Sequence, residues 1–202
     1  MSTDHRAHAH APTHGHTPAH PPAPTTAEQW EAERAEVQAR MKAGGGRPGL
    51  ARPEQVAGLS GLEMMQAMID GGLPHAHIAE TLDFGLISVA RGHVVFQGTP
   101  RLAHYNPIGS VHGGWFATLI DSALGCAVHT TLAAGQGYTT AELSLNIVRA
   151  ATVDTGPLRA IGQVVHTGRQ LATAEARIVD AAGKLYAHGT TTCLVFSQAP
   201  RG

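Results

Sequence analysis

The apolar positions of the chain change period twice, and those changes divide it into elements. Residues 27–44, AEQWEAERAEVQARMKAG, join strong helix formers to Glu and Arg three or four apart and run into Gly44, Gly45 and Gly46, which predicts an exposed helix. RPGLARPEQ follows as a linker. GLEMMQAMIDGGL, residues 61–73, repeats apolar side chains at helical spacing until Gly71, Gly72 and Pro74 stop it. After that the period is mostly two. FGLISVARGHVVFQGT, residues 84–99, holds two β-rich runs about Arg91-Gly92 and predicts a hairpin. TTAELSLNIV, residues 139–148, sets Ala141, Leu143, Leu145 and Ile147 on one face and Thr140, Glu142, Ser144 and Asn146 on the other. LRAIGQVVH (158–166), LATAEARIVD (171–180) and LYAHGTTTCLVF (185–196) complete the strands.

Between the hairpin and the later strands, one segment is apolar nearly all round. From Gly113 to about Ala133 it carries Trp115, Phe116, Leu119, Ile120, Leu124, Cys126 and Val128, so it reads as a helix covered by protein on most sides. Two strands, one buried helix and four strands imply an α+β fold, with one antiparallel sheet wrapped around or packed on a central α-helix and extra N-terminal helices. We expect a folded domain over residues 61–202, an N-terminal helix and linker over 27–60, and a disordered His-rich tail over 1–26.

The tail changes the picture least. HRAHAHAPTHGHTPAHPPAPTT offers little to bury against the entropy of ordering it. Its six histidines, His5 to His20, suit either a transition-metal ligand set or a solubilising low-complexity segment. The net charge of −1 with 14% charged residues leaves no basic surplus for nucleic acid. Cys126 and Cys193 lie in apolar settings without C-x-x-C spacing or a secretory segment, the pattern of buried free thiols in a cytoplasmic protein. No apolar run reaches the roughly 18 residues that suggest a membrane span.

The buried helix contains one acid, Asp121. Its neighbours three, four and seven positions away include Gly114, Ala117, Thr118, Leu124 and Gly125, mostly small. Two readings follow: the small residues seat the helix on the sheet while Asp121 bonds backbone or meets solvent, or they leave a groove beside a working carboxylate. The preceding residues bear on the choice. At a helix start the first backbone N–H groups lack intrahelical acceptors, and Gly113 and Gly114 allow an anion or a polarised carbonyl to approach them closely. His112 reads singly as a cap or turn residue, and Asn106 before Pro107 as a turn opener.

Taken together, Asn106, Gly109, His112-Gly113-Gly114 and Asp121 form an N-x-x-G-x-x-H-G-G-x(6)-D string that resembles the PaaI-like hotdog-fold acyl-CoA thioesterases. The resemblance runs from about residue 61 to 196, through TAELSLNIVRA, VVHTGR and AHGTTTCLVF. It implies a hotdog fold, homodimers whose sheets join, and often homotetramers. It implies as well that Asp121 is the carboxylate that acts as nucleophile or general base and that the Gly113 N–H polarises the thioester carbonyl. By the same resemblance Asn106 stands near the leaving thiol or the water, Thr140 orients that water, and His112 supports the loop. No metal and no cofactor are implied, coenzyme A entering only as part of the substrate. Thioester hydrolysis needs a base or nucleophile and fixed donors where negative charge develops, which these residue types supply.

Spacing adds a constraint. Gly113 and Asp121 are eight residues apart, about 12 Å along one helix, whereas reacting groups must come within roughly 3 to 3.5 Å. A composite site is expected, with Gly113 and Asn106 of one chain facing Asp121 of its partner. Gly114 lies at the same carbonyl site. Arg149 and Arg169 are candidates for the coenzyme A phosphates as bidentate donors. Trp115, Phe116 and Tyr138 either shape an aromatic acyl pocket or belong to the core or a subunit contact. The function expected is hydrolysis of a small aromatic or medium-chain acyl-CoA, with a non-catalytic acyl-CoA sensor as the alternative and metal buffering by the tail as a third. A hydratase lacks the Asp/His pair it would want on one loop–helix element.

Overall fold

A computed structural model describes residues 26–198. The His-rich segment and its metal-binding reading lie outside the described residues, except that Thr26 opens the first helix. Four helices come first: α1 (Thr26–Ala43), α2 (Pro53–Val56), α3 (Gly61–Ile69) and α4 (His77–Thr81). The hairpin β1 (Phe84–Ala90) and β2 (His93–Gly98) leads to α5 (Gly113–His129), which is followed by β3 (Gln136–Ile147), β4 (Leu158–Thr167), β5 (Leu171–Asp180) and β6 (Leu185–Ser197). The six strands form one sheet in the order β1-β2-β4-β5-β6-β3, antiparallel throughout. This is the hotdog arrangement. No helix among the described residues is long and apolar enough to cross a membrane.

The hairpin turns at Arg91-Gly92, where Gly92 takes φ +73°, a conformation that costs glycine least. Helix α5 crosses the sheet and supplies the centre of the core. Leu119, Ile120, Ala123, Leu124, Ala127 and Val128 are all at 0% exposure, and full burial of a Leu or Ile side chain is worth about 1.5–3 kcal/mol. The helix lies so close to β4 that a Cβ at Gly162 would stand 2.3 Å from the Ala123 carbonyl oxygen. Small strand residues opposite α5, Ala160, Ala172, Ala174 and Ala176, are buried for the same reason.

Several boundaries differ from the sequence reading. Helix α5 ends at His129, not near Ala133, because the Thr130 and Thr131 hydroxyls donate to the Ala127 and Val128 carbonyls and compete with further helical bonding. Strand β3 starts at Gln136, three residues early, since its partner β6 continues to Ser197. Within β3 the strict alternation fails: a bulge at Ala141 shifts the register between Thr140 and Glu142, so Tyr138 and Thr140 share the helix-facing side with Leu143 and Leu145. Thr140 therefore lies on the inner face that period two had denied it. The linker read at 47–55 carries α2 in part and a bridge from Pro48 to His75.

Helix α1 is mostly exposed, as its composition suggests, but it is docked. Val37 is buried in the core, and Arg34, 7% exposed, donates to the Asp83 carboxylate at 2.7 Å and to Thr99 Oγ1 at 3.2 Å. Arg159 of β4 pairs with Glu33 at 2.6 Å and lies 4.2 Å over the Trp30 ring. These partners are 49 (Arg34 and Asp83) to 129 (Trp30 and Arg159) residues apart in sequence, beyond the reach of any local periodicity.

Candidate functional site

The approach to α5 is a loop closed on itself. Asn106 Oδ1 accepts from the Ile108 and Ser110 backbone N–H groups at 3.0 and 3.4 Å, its Nδ2 donates to Ser110 Oγ at 3.2 Å, and Gly109 takes φ +90°. Within one chain Asn106 thus shapes the loop. The loop delivers His112 as the N-cap, its Nδ1 accepting from the Gly114 N–H at 2.8 Å. Gly114 is thereby occupied, while the Gly113 N–H has no acceptor among the described residues. A Cβ at Gly113 would meet Ile147 Cδ1 at 3.3 Å, so this end of the helix sits beside the end of β3.

Two turns further on, Asp121 is half-buried on the flank facing β3. Thr140 Oγ1 donates to Asp121 Oδ1 at 3.1 Å, and no cation pairs with the carboxylate among the described residues. Tyr138 stands alongside, so close to the helix that a Cβ at Gly125 would lie 2.8 Å from its hydroxyl. Burial pushes the Cys126 thiol up to about 12, with the Asp121 carboxylate adding to the rise. Burial also raises Cys193 and, well above its ordinary value, Tyr138, and Asp121 acts on both in the same direction. All three remain neutral near pH 7. Neither thiol nor the phenol is therefore ionised to serve as a base or nucleophile beside Asp121.

The comparisons with known proteins agree with this fold. The thioesterase superfamily model matches residues 108–187. A protein from the thioesterase superfamily is 32% identical over 59% of this chain and 89% of its own, with a TM-score of 0.52. The chain belongs to the thioesterase superfamily. A hypothetical thioesterase from Streptococcus pneumoniae, solved with coenzyme A, is 28% identical over 57% of this chain and 87% of that one, TM-score 0.52. The Escherichia coli PaaI protein of the phenylacetic acid degradation operon shares the fold at 24% identity, covering 60% and 86%, TM-score 0.55. No curated protein matches the chain.

In this chain the structure brings Asp121 and Thr140 together and holds His112, Gly113 and Gly114 in one cap, but it leaves that cap and Asp121 at separate points of α5. The two arginines do not share a site within one chain. Ile147, two residues before Arg149, pairs with Ala187, whereas Leu171, two after Arg169, pairs with Leu194 opposite Thr139. From 139 to 147 is eight residues, about 26 Å along the strand, so the two lie at opposite ends of the sheet. Arg149 also donates to the Leu185 carbonyl at 3.3 Å. Trp115 and Phe116 are core rather than acyl pocket: Trp115 is 3% exposed, donates through Nε1 to the Leu82 carbonyl and stacks on His104, and Phe116 is 1% exposed. Of the three aromatics only Tyr138 reaches the Asp121 flank. The two thiols beside Asp121 carried no signal beyond apolar context in the sequence, because their approach to it depends on the packing of α5 on β3 and β6.

Proposed function

We propose that this chain is an acyl-CoA thioesterase whose sites are shared between the two subunits of a homodimer. The observation that carries the reading is the half-buried Asp121 carboxylate, steadied by Thr140 and paired with no cation among the described residues, on the same helix as an unclaimed Gly113 N–H. The first can activate water or attack carbon; the second can meet the oxyanion.

Strand β3 supports the dimer. It lies at the sheet edge and is twelve residues long, and such an edge is a template for another strand. A two-fold axis pairs identical strands antiparallel. Since Gly113 sits by Ile147 at one end of β3 and Asp121 by Thr140 nearer the other, that pairing carries each Gly113 toward the Asp121 of the second chain. It also sets Arg149 at the end of the joined sheet where the second chain has its Arg169, a place for the coenzyme A phosphates. Acting as base, Asp121 takes a proton from water as the water oxygen bonds to the thioester carbon. The Gly113 N–H faces the developing oxyanion. The C–S bond then breaks, the thiolate leaves and takes up a proton, and the products are a free acid and coenzyme A. Acting as nucleophile, Asp121 forms an acyl anhydride first, and water then cleaves it to the same products.

Mixing an Asp121→Asn chain with an Asn106→Ala chain tests the shared site. Each mixed dimer then holds one site with both groups intact, and thiol release should return to about half the wild-type rate per dimer. No recovery in mixtures that demonstrably exchange subunits counts against sharing. A flat thiol-release response across aliphatic and aromatic acyl-CoA esters would favour a sensor.

A further inference from the structure

A flank of α5 adjoining its β3-facing side opens on a cavity of about 400 Å³, within the range of small-molecule sites. Its floor includes Ser122 and Cys126, one and five residues after Asp121, or about 1.5 and 7.5 Å along the helix axis. Its walls come from Met41 of α1, Met68 of α3, Ala79 of α4, Phe84 of β1 and Phe96 of β2. Helices α1 to α4 lie outside the residues that match the thioesterase model, so much of this enclosure is built by the N-terminal part of the chain. The Arg34–Asp83 pair, which docks α1 on β1, also lines it.

We infer that this cavity is the acyl-chain channel, and that the N-terminal helices make the enzyme selective for unbranched, medium-length aliphatic acyl groups. This rests on the thioesterase reading above. Three observations point to that occupant. The lining includes Ser122, the residue next to Asp121 on the helix, so a chain whose thioester lies at Asp121 can continue over Ser122 toward Cys126. The Ser122 hydroxyl donates to the Thr118 carbonyl at 2.8 Å, and the Cys126 thiol stays neutral, so the floor presents little that must be solvated. Beside the polar and charged Arg34, Gln38, Lys42, His75, Glu80 and Asp83, most of the exposed wall is alkyl, thioether and phenyl surface, and the two methionines are flexible enough to close on chains of differing length.

The cavity can be filled without disturbing the backbone. Gly85 lines it, has no positive φ, and a Cβ there meets no atom within 4 Å. Straight-chain acyl-CoA esters from acetyl to dodecanoyl, with phenylacetyl-CoA and benzoyl-CoA beside them, should show kcat/KM rising about fourfold per buried methylene and then levelling. In Gly85→Leu and, independently, Ala79→Leu, the ratio of decanoyl to butyryl kcat/KM should fall at least tenfold, with circular dichroism and melting checked for each variant. An unchanged ratio in the folded variants, or an optimum at an aromatic ester in the wild type, overturns the inference and leaves the thioesterase reading standing. If the wild type hydrolyses none of the esters, that reading fails instead. Calorimetry with a decanoyl-CoA thioether then tests the cavity directly: affinity lost in the two variants supports a chain site, and equal affinity in all three proteins refutes it.

Discussion

The two flanks of α5 are built on opposite packing rules. Toward β3 the helix is tight: Gly125 leaves room for the Tyr138 hydroxyl and nothing larger, and Thr140 reaches Asp121. Toward α1 and α4 it is loose, with Ser122 and Cys126 facing open volume. A carboxylate that must act at a defined distance belongs on the side where its rotamer is held. A group of variable length belongs where side chains can give way. One helix can therefore hold the acid proposed to react and floor the pocket on neighbouring faces only because consecutive residues point about 100° apart.

The sharpest break of this contrast is Asp121→Ala, expected to lower kcat/KM at least about a hundredfold in thiol release while the circular dichroism spectrum is retained. An activity within a few-fold of wild type would remove Asp121 from the chemistry. Next comes overpacking. Gly125→Val forces a methyl-bearing carbon onto Tyr138 and should cost about 1–3 kcal/mol in denaturant unfolding, whereas Ala79→Leu on the roomy side should cost less. Equal costs would erase the difference between the flanks. Thr140→Val removes one hydrogen bond to the carboxylate, worth about 0.5–1.5 kcal/mol, and should slow turnover up to about tenfold with little change in melting temperature. Thr140→Ser should recover most of it.

The smallest expected effect concerns the roof of the loose flank. Burial raises the Asp83 carboxyl, but the hydrogen bond from Arg101 and the charge of Arg34 outweigh burial and hold it below its ordinary 3.8. A folded pKa below the unfolded one contributes stability above pH 3.8, and that contribution fades as pH falls through the lowered value. Thermal melts from pH 5 down to 2.5 should therefore show part of the acid sensitivity of the wild type missing from Asp83→Asn. Asparagine tolerates the φ of +48° at this position. Parallel slopes for the two proteins would mean that this ion pair does not couple to acid stability.

Much of this was legible along the chain because it is local. The Arg91-Gly92 turn, the all-apolar α5 and the H-G-G cap each depend on a few neighbouring residues, and the string from Asn106 to Asp121 kept its order in the loop and the helix. What local patterning left open or hid depended on pairing. The Ala141 bulge is invisible to a count of alternating residues, yet it turns Thr140 toward Asp121. Trp115 and Phe116 were as compatible with a pocket as with a core until the Leu82 carbonyl and His104 claimed Trp115. Arg149 and Arg169 looked equivalent until strand register put the length of the sheet between them.

From residue order alone followed the classes of element, the buried helix with its single acid, and the roughly 12 Å that keep Gly113 from Asp121, since these depend on backbone geometry and side-chain chemistry within a few turns. Only the tertiary structure decided which flank of that helix is closed and which is hollow, because each flank is completed by strands and helices tens of residues away, whose meeting no local pattern encodes.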